Sequence, residues 1–163
     1  MQVVSNSTPL IFLAKISRLN LLEKLFDAVL IPNKVFTEVV VEGKERGYSD
    51  SYLVEESIKK GIIKKKDIKI GESTAMPISS GEIEAIELAL KLGIQDILID
   101  EAKGRRIARL YDLKPKGTLW VLTKAFEDGI LTQEELKNSI FELIKCGYRI
   151  REDILVEIFK EIM

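Results

Sequence analysis

The chain has 163 residues, of which 46% are hydrophobic and 31% charged, a normal mixture for one globular domain with a sizeable core. Its net charge of −1 excludes a protein that is basic throughout, so any nucleic-acid binding must use a local patch. It has no histidine and one cysteine, which excludes a histidine base, an internal disulfide and a cysteine-rich zinc site. No apolar run approaches the ~20 residues of a membrane span, and a strand-like segment directly follows Met1, so we expect a cytoplasmic protein with no membrane partner.

The hydrophobic pattern alternates between strand-like and helix-like segments along most of the chain. It predicts strands at residues 3–4, 28–31, 62–63 and 97–99, with a short one near Lys114. It predicts helices between them at 10–16, 21–26, 33–40, 50–60, 79–92, 101–112 and 119–127, and a loop at 66–77. Thr8 followed by Pro9 is typical of a helix start. This order predicts an α/β fold in which helices cover both faces of a central parallel sheet.

Two further helices are predicted at the end of the chain. Thr132 and Glu135 have the spacing of a capping box. Apolar residues at helical spacing follow in both segments. We therefore expect a main domain over residues 1–130 and a C-terminal helical pair over 131–163, packed on that domain or on a second subunit.

Acidic residues follow the most strand-like segment of the chain. Ile97, Leu98 and Ile99 run directly into Asp100 and Glu101, which places charge at the carboxyl edge of the sheet, where open α/β folds bind ligands. Asp100 is equally typical of a helix N-cap. Glu101 precedes Arg105 by four residues, as in an ordinary ion-pair row on a helix.

Three other polar residues are candidates for the same edge. Helical periodicity turns Glu82 toward the apolar side of its helix, where a carboxylate needs a partner, although it could also fold back in a capping box with Ser79. Glu38 lies at the edge of an apolar helix face, and the pattern does not choose between it and Glu42 one turn later. Asn6 follows the first strand, either as a turn residue or as a neutral amide ligand. Without histidine, such oxygen ligands favour Mg²⁺ or Mn²⁺.

The densest basic cluster lies beside these acids. It consists of Lys103, Arg105, Arg106 and Arg109, which form either a solvated helix face or a contact surface for nucleic-acid phosphates. Thr118 could bind a phosphate or a water, or simply cap its helix.

Four segments together resemble the PIN-domain superfamily of metal-dependent nucleases, most of all a prokaryotic branch of predicted nucleic-acid-binding proteins. They are VVSNSTPLIFLAKI, VLIPNKVFTEVV, SSGEIEAIELAL and LIDEAKGRRIARLYDLKPKGTLWVL, and the resemblance covers roughly residues 2 to 130. It implies a three-layer, Rossmann-like α/β/α fold and Mg²⁺- or Mn²⁺-dependent cleavage of single-stranded or structured RNA. Many similar proteins are toxins of toxin–antitoxin pairs that act as dimers, so an antitoxin partner and a homodimer are expectations of the same kind.

The resemblance also implies a set of site residues. The metal would be held at Asn6, Glu38, Glu82 and Asp100, with Glu101 beside Asp100 as a further catalytic acid and Thr118 near the site. Lys103, Arg105, Arg106 and Arg109 would bind RNA. Asn6 departs from the pattern, because an aspartate follows the first strand in such proteins, and asparagine removes one negative charge and a ligand able to bridge two ions. The chain is therefore expected to be a metal-dependent ribonuclease or, alternatively, a catalytically impaired module that binds nucleic acid or protein.

Overall fold

A five-stranded sheet forms the centre of the molecule. The computed structural model describes residues 1–69 and 76–162. The strands are β1 (Gln2–Ser5), β2 (Ala28–Pro32), β3 (Ile63–Lys66), β4 (Asp96–Leu98) and β5 (Lys114–Lys116), in the order β3-β2-β1-β4-β5. All neighbouring strands are parallel, as predicted. The strand order reverses between β1 and β4, which is the topological switch point of this sheet.

Helices cover both faces of the sheet. They are α1 (Ser7–Lys15), α2 (Leu21–Leu25), α3 (Asn33–Phe36), α4 (Gly43–Glu45), α5 (Ser49–Lys59), α6 (Ser80–Leu92), α7 (Ala102–Leu110), α8 (Thr118–Glu127), α9 (Gln133–Lys145) and α10 (Glu152–Ile162). A π-helical segment, Thr37–Glu42, joins α3 to α4. This is the predicted three-layer α/β/α architecture.

Alternation along the strands produces two apolar cores. Val3 and Leu98 face one core, while Val4, Ile97 and Ile99 face the other, because successive strand residues point to opposite faces. The first core includes α9, whose buried apolar residues lie in the same cluster as those of α1 and α8. The division into residues 1–130 and 131–163 stays a prediction.

Two predicted helix starts differ from the observed ones by one or two residues. The first helix begins at Ser7 with Asn6 in the cap position, so Thr8 and Pro9 lie inside its first turn. The helix after β4 begins at Ala102 with Glu101 in the cap position, so Asp100 is not its N-cap. The reason is local in both cases: the Asn6 N–H continues the strand ladder by donating to the Leu98 carbonyl at 2.9 Å, and the Asp100 carboxylate has other partners.

The segment predicted as a loop at 66–77 is described only in part. Lys66 belongs to β3, and residues 70–75 lie outside the described residues. Across the part of the chain that the structure describes, no helix has both the length and the apolar character needed to cross a membrane.

Candidate functional site

A cavity of about 410 Å³ opens at the carboxyl edge of the sheet. Asn6 follows β1 there, bonded through its N–H to β4, so the cavity lies at the switch point where open α/β sheets bind ligands. We call it the acidic cavity. It is lined by Asn6, Ser7, Thr8, Glu38, Ile78, Ser79, Glu82, Glu101 and Lys103.

Each of the three carboxylates in the acidic cavity accepts a hydrogen bond from a hydroxyl. The Ser7 hydroxyl donates to Glu38 Oε2 at 2.6 Å, and the Ser79 hydroxyl donates to Glu82 Oε1 at 2.8 Å. The Thr8 hydroxyl lies 3.5 Å from Glu101 Oε1. Within the described residues none of these carboxylates forms an ion pair with lysine or arginine. Neutral hydroxyl groups therefore orient these carboxylates, and no described cationic side chain neutralises their negative charge.

Glu82 has the least satisfied of these side chains. It is only 7% exposed, at the start of α6, where Ser79 is the N-cap and accepts from the Glu82 N–H at 3.3 Å. Its Oε2 is buried and has no hydrogen-bond partner among the described residues. A buried carboxylate oxygen without a partner is costly, and a bound cation would remove that cost.

Two glycines leave room for the carboxylates. A Cβ on Gly81 would lie 2.8 Å from Glu38 Oε2, and a Cβ on Gly104 would collide with the Glu82 carboxylate and lie 2.6 Å from Ile99 Cδ1. Any larger residue at either position would displace a carboxylate. The backbone of α6 and α7 thus approaches the two acids more closely than a side chain would permit.

Among the described residues that line the acidic cavity, the side-chain atoms able to bind a metal ion are all oxygen atoms. Such ligands suit a hard divalent cation such as Mg²⁺ or Mn²⁺. In the described part of the chain, however, no three acidic or cysteine side chains are grouped closely enough to hold one ion. A single ion in this geometry would therefore take two carboxylates and the Asn6 amide. The unpartnered Glu82 oxygen makes the residues present fit such an ion.

Asp100 does not line the acidic cavity. Its Oδ1 accepts from the Thr118 N–H at 2.7 Å and from the Tyr148 hydroxyl at 2.8 Å, and its Oδ2 accepts from the Thr118 hydroxyl at 2.8 Å. Gly117 makes this approach possible, because a Cβ there would lie 2.8 Å from Asp100 Oδ1. Burial raises the pKa of the Asp100 carboxyl above its usual value, although the hydrogen bonds from Thr118 and Tyr148 oppose that shift.

Asp100 instead lies at a second cavity of about 790 Å³, between α7, α8 and the segment that follows α9. We call it the arginine groove. Its lining residues include Asp100, Ala102, Arg105, Arg106, Arg109, Leu119, Trp120, Glu127, Tyr148, Arg149, Ile150, Arg151 and Glu161. Among the described residues, none lines both cavities.

The predicted nucleic-acid-binding residues are divided between the two cavities. Arg105, Arg106 and Arg109 line the arginine groove, whereas Lys103 lines the acidic cavity. Thr118 is fully buried and binds Asp100 through both its N–H and its hydroxyl. Glu101 and Arg105, which are spaced for an ion pair on a helix, are both described and do not lie within salt-bridge distance of each other.

Sequence reasoning missed two kinds of residue at these cavities. The hydroxyl of Ser7 was adjacent to a predicted site residue, and its place just after a strand was a usable signal. Tyr148 and Arg149 had no local signal, because they reach Asp100 and α7 only through the return of the chain after α9.

The fold and the family agree. The chain belongs to the PIN-domain family, because that family's model matches residues 2–163. The class of protein is therefore a nuclease-type α/β domain, of a family that is generally dependent on divalent metals and associated with nucleic acid. No curated protein matches the chain.

Proposed function

We propose that this PIN domain is a Mg²⁺- or Mn²⁺-dependent endoribonuclease whose active site is the acidic cavity. The observation that carries the proposal is the buried, unpartnered Glu82 Oε2 in a cavity that also contains the Glu38 carboxylate. Oxygen-rich sites of this kind at a switch point are suited to a divalent cation and an anionic substrate.

Asn6, Glu38 and Glu82 would hold the ion. When bound, the metal would lower the pKa of a water and offset charge on the phosphoryl oxygens during hydrolysis. The chain's own contribution is positional: Ser7 and Ser79 fix the orientation of Glu38 and Glu82 before substrate arrives.

Two further residues would act on the substrate side of the cavity. Glu101, oriented by Thr8, would accept a hydrogen bond from the attacking water, and Lys103 would contact a phosphate oxygen. The reaction is phosphodiester hydrolysis, in which water adds to phosphorus and one P–O bond breaks.

Asp100 stays a predicted metal ligand. To reach the acidic cavity its carboxylate would have to leave three hydrogen bonds with Thr118 and Tyr148. An antitoxin partner and a homodimer also stay predictions that rest on the resemblance, and a cytoplasmic location stays a prediction from the composition of the sequence.

Asn6 supports a second candidate function, a binding module with impaired catalysis. Asn6 is 4% exposed, at the position where an aspartate would add a fourth carboxylate to the acidic cavity, beside those of Glu38, Glu82 and Glu101. In this alternative the acidic cavity binds metal too weakly for turnover, and the protein acts by binding alone.

Calorimetric titration with Mn²⁺, followed by an RNA cleavage assay, tests the proposal. We expect Glu82→Gln to lower Mn²⁺ affinity and cleavage at least about a hundredfold, because it neutralises a buried ligand while keeping its shape. Glu87→Gln is the matched control, with the same charge change on the same helix but outside both cavities. Equal Mn²⁺ affinity and cleavage in the two variants would contradict the proposal, and Mn²⁺ binding without cleavage in the wild type would favour the impaired module.

A further inference from the structure

The arginine groove carries more charge than the predicted basic cluster accounts for. Five arginines line it, against the three acids Asp100, Glu127 and Glu161. Arg105, Arg106, Arg109 and Arg149 have no ion-pair partner within the described residues, whereas Arg151 is paired with Asp153 at 2.8 Å. The groove therefore has a surplus of positive charge that the protein itself does not neutralise.

One of these arginines has an unsatisfied donor. The Nε atom of Arg105 is buried and has no hydrogen-bond partner among the described residues. A buried guanidinium donor is normally bonded, so this Nε–H can donate to an acceptor from outside the chain, either a water or a ligand oxygen. Phosphate oxygens are acceptors that match a guanidinium in both charge and geometry.

Part of the lining of the arginine groove comes from the C-terminal part of the chain. Gly147 has a φ of +91°, which turns the chain sharply after α9. Tyr148 then reaches back to donate to Asp100, and its ring contacts Phe12 edge-on at a centroid distance of 5.0 Å. Tyr148 thereby anchors the segment that brings Arg149 to the same groove as Arg105.

We propose that the arginine groove binds the single-stranded nucleic acid that flanks the acidic cavity, and that the C-terminal segment supplies one wall of it through Arg149. The inference rests on the proposed nuclease function of the acidic cavity. It assigns Arg149 as a substrate-binding residue contributed by the helical pair that follows the predicted main domain.

Two features favour a nucleic-acid strand over an acidic peptide. The arginines share the groove with Leu119, Trp120 and Ile150, and positive charge for a backbone beside apolar surface for bases is typical of single-strand binding. The groove also begins at Asp100, while the next residue, Glu101, lines the acidic cavity. A strand in the groove would pass from one cavity to the other across a single turn of the chain.

The test measures binding without catalysis. Fluorescence anisotropy follows a labelled single-stranded oligoribonucleotide of about 12 nucleotides, long enough to span a typical single-strand site, in EDTA at several salt concentrations. We expect Arg149→Ala to weaken binding about three- to tenfold and to reduce the slope of log K against log salt by about 0.7, the value of one lost phosphate contact. Because Arg149 is exposed, the substitution should leave the fold intact.

Lys145→Ala is the control, since it removes one exposed positive charge next to the same turn but lines neither cavity. Identical affinities and salt slopes for Arg149→Ala and Lys145→Ala would overturn the proposal. Tighter binding of an RNA duplex than of the single strand would also overturn it, as would displacement of the oligonucleotide by poly-glutamate that depends on Arg149 and is stronger than displacement by unlabelled RNA.

Two further measurements define what the arginine groove binds. A single-stranded DNA of the same sequence distinguishes RNA-specific binding from general single-strand binding. Weaker binding of either oligonucleotide by Arg149→Ala supports the proposed binding site in the arginine groove. If Arg149-dependent binding is found but the wild type does not cleave RNA with Mn²⁺, the proposed enzyme activity fails and the groove assignment stands.

Discussion

The acidic cavity and the arginine groove lie on opposite sides of one short turn, between β4 and α7. Asp100 and Ala102 line the groove, while Glu101 and Lys103 line the cavity. Glu101 has an extended backbone, so its side chain points away from that of Asp100, whereas Ala102 and Lys103 already belong to the first turn of α7. A single run of residues thus supplies one wall of a negatively charged site and one wall of a positively charged site.

The carboxylates of the two sites differ in how many hydrogen bonds they accept. In the acidic cavity Glu38, Glu82 and Glu101 contact hydroxyls and retain open acceptor positions. In the arginine groove Asp100 accepts three hydrogen bonds from Thr118 and Tyr148. The first arrangement leaves charge available for a ligand, whereas the second uses a carboxylate to hold separate parts of the fold together.

The largest effect is expected from Asp100→Asn, which should change stability more than metal affinity. Asp100→Asn should destabilise the fold by about 2–3 kcal/mol, because the amide nitrogen cannot accept the bond from the Thr118 hydroxyl, and the bonds that the Thr118 N–H and Tyr148 donate to the amide oxygen lose the charge of their acceptor. If Asp100 keeps its three hydrogen bonds when metal binds, the Mn²⁺ affinity of this variant should change less than about twofold, because the carboxylate then stays outside the acidic cavity. Chemical denaturation and Mn²⁺ calorimetry measure both quantities.

Glu101→Gln is the matched variant, and its result should be the reverse. It removes the same charge one residue later, so we expect nearly unchanged stability and an Mn²⁺ affinity lowered about three- to tenfold by the lost attraction. If Asp100→Asn instead abolishes Mn²⁺ binding, Asp100 turns into the acidic cavity when metal is bound, as the resemblance implied.

The pH dependence of stability offers a second test of Asp100. Because burial raises its pKa in the folded protein above the usual 3.8, the folded state binds this proton more tightly than the unfolded state does. Its contribution therefore favours folding at low pH and is lost as pH rises from 3.8 through the raised folded-state pKa. The free energy of unfolding of the wild type, measured relative to Asp100→Asn, should fall over that interval, and a constant difference would show that the carboxyl is not perturbed.

Asn6→Asp should have the next largest effect, and only on the acidic cavity. A fourth carboxylate in the acidic cavity should raise Mn²⁺ affinity about tenfold, while its repulsion with Glu38, Glu82 and Glu101 lowers stability without metal. Oligonucleotide binding in EDTA, which depends on the arginine groove, should not improve. Asn20→Asp, an exposed cap position on α2, controls for the chemical change itself, and equal Mn²⁺ affinities in the two variants would show that position 6 is not the limiting defect.

Local patterns predicted much of this site. Helical periodicity turned Glu82 inward, and the structure finds it buried with Ser79 as the helix cap. The end of a strand identified Asp100 and Glu101, but not their opposite orientations, which strand alternation would have predicted had the turn been taken as extended. Glu38 could not be preferred over Glu42, because its segment is π-helical and departs from the regular period.

What sequence could not supply was contact between distant segments. Tyr148 bonds to a residue 48 positions earlier, and Ser7 to one 31 positions later. Neither pairing leaves a spacing that can be recognised along the chain. The hydroxyls that orient the acids and the segment that completes the arginine groove therefore became visible only once the fold was known.

Tyr148→Phe should give the smallest effect, and it tests whether the arginine groove and the acidic cavity are independent of each other. It removes the hydrogen bond to Asp100 but keeps the ring against Phe12, so the loss of stability should be about 1–2 kcal/mol. Single-strand binding in EDTA should weaken about two- to threefold, because Arg149 loses its anchor, while Mn²⁺ affinity remains unchanged. A lower Mn²⁺ affinity would mean that the groove and the acidic cavity are coupled through Asp100, and that the separation seen in the structure does not hold when metal binds.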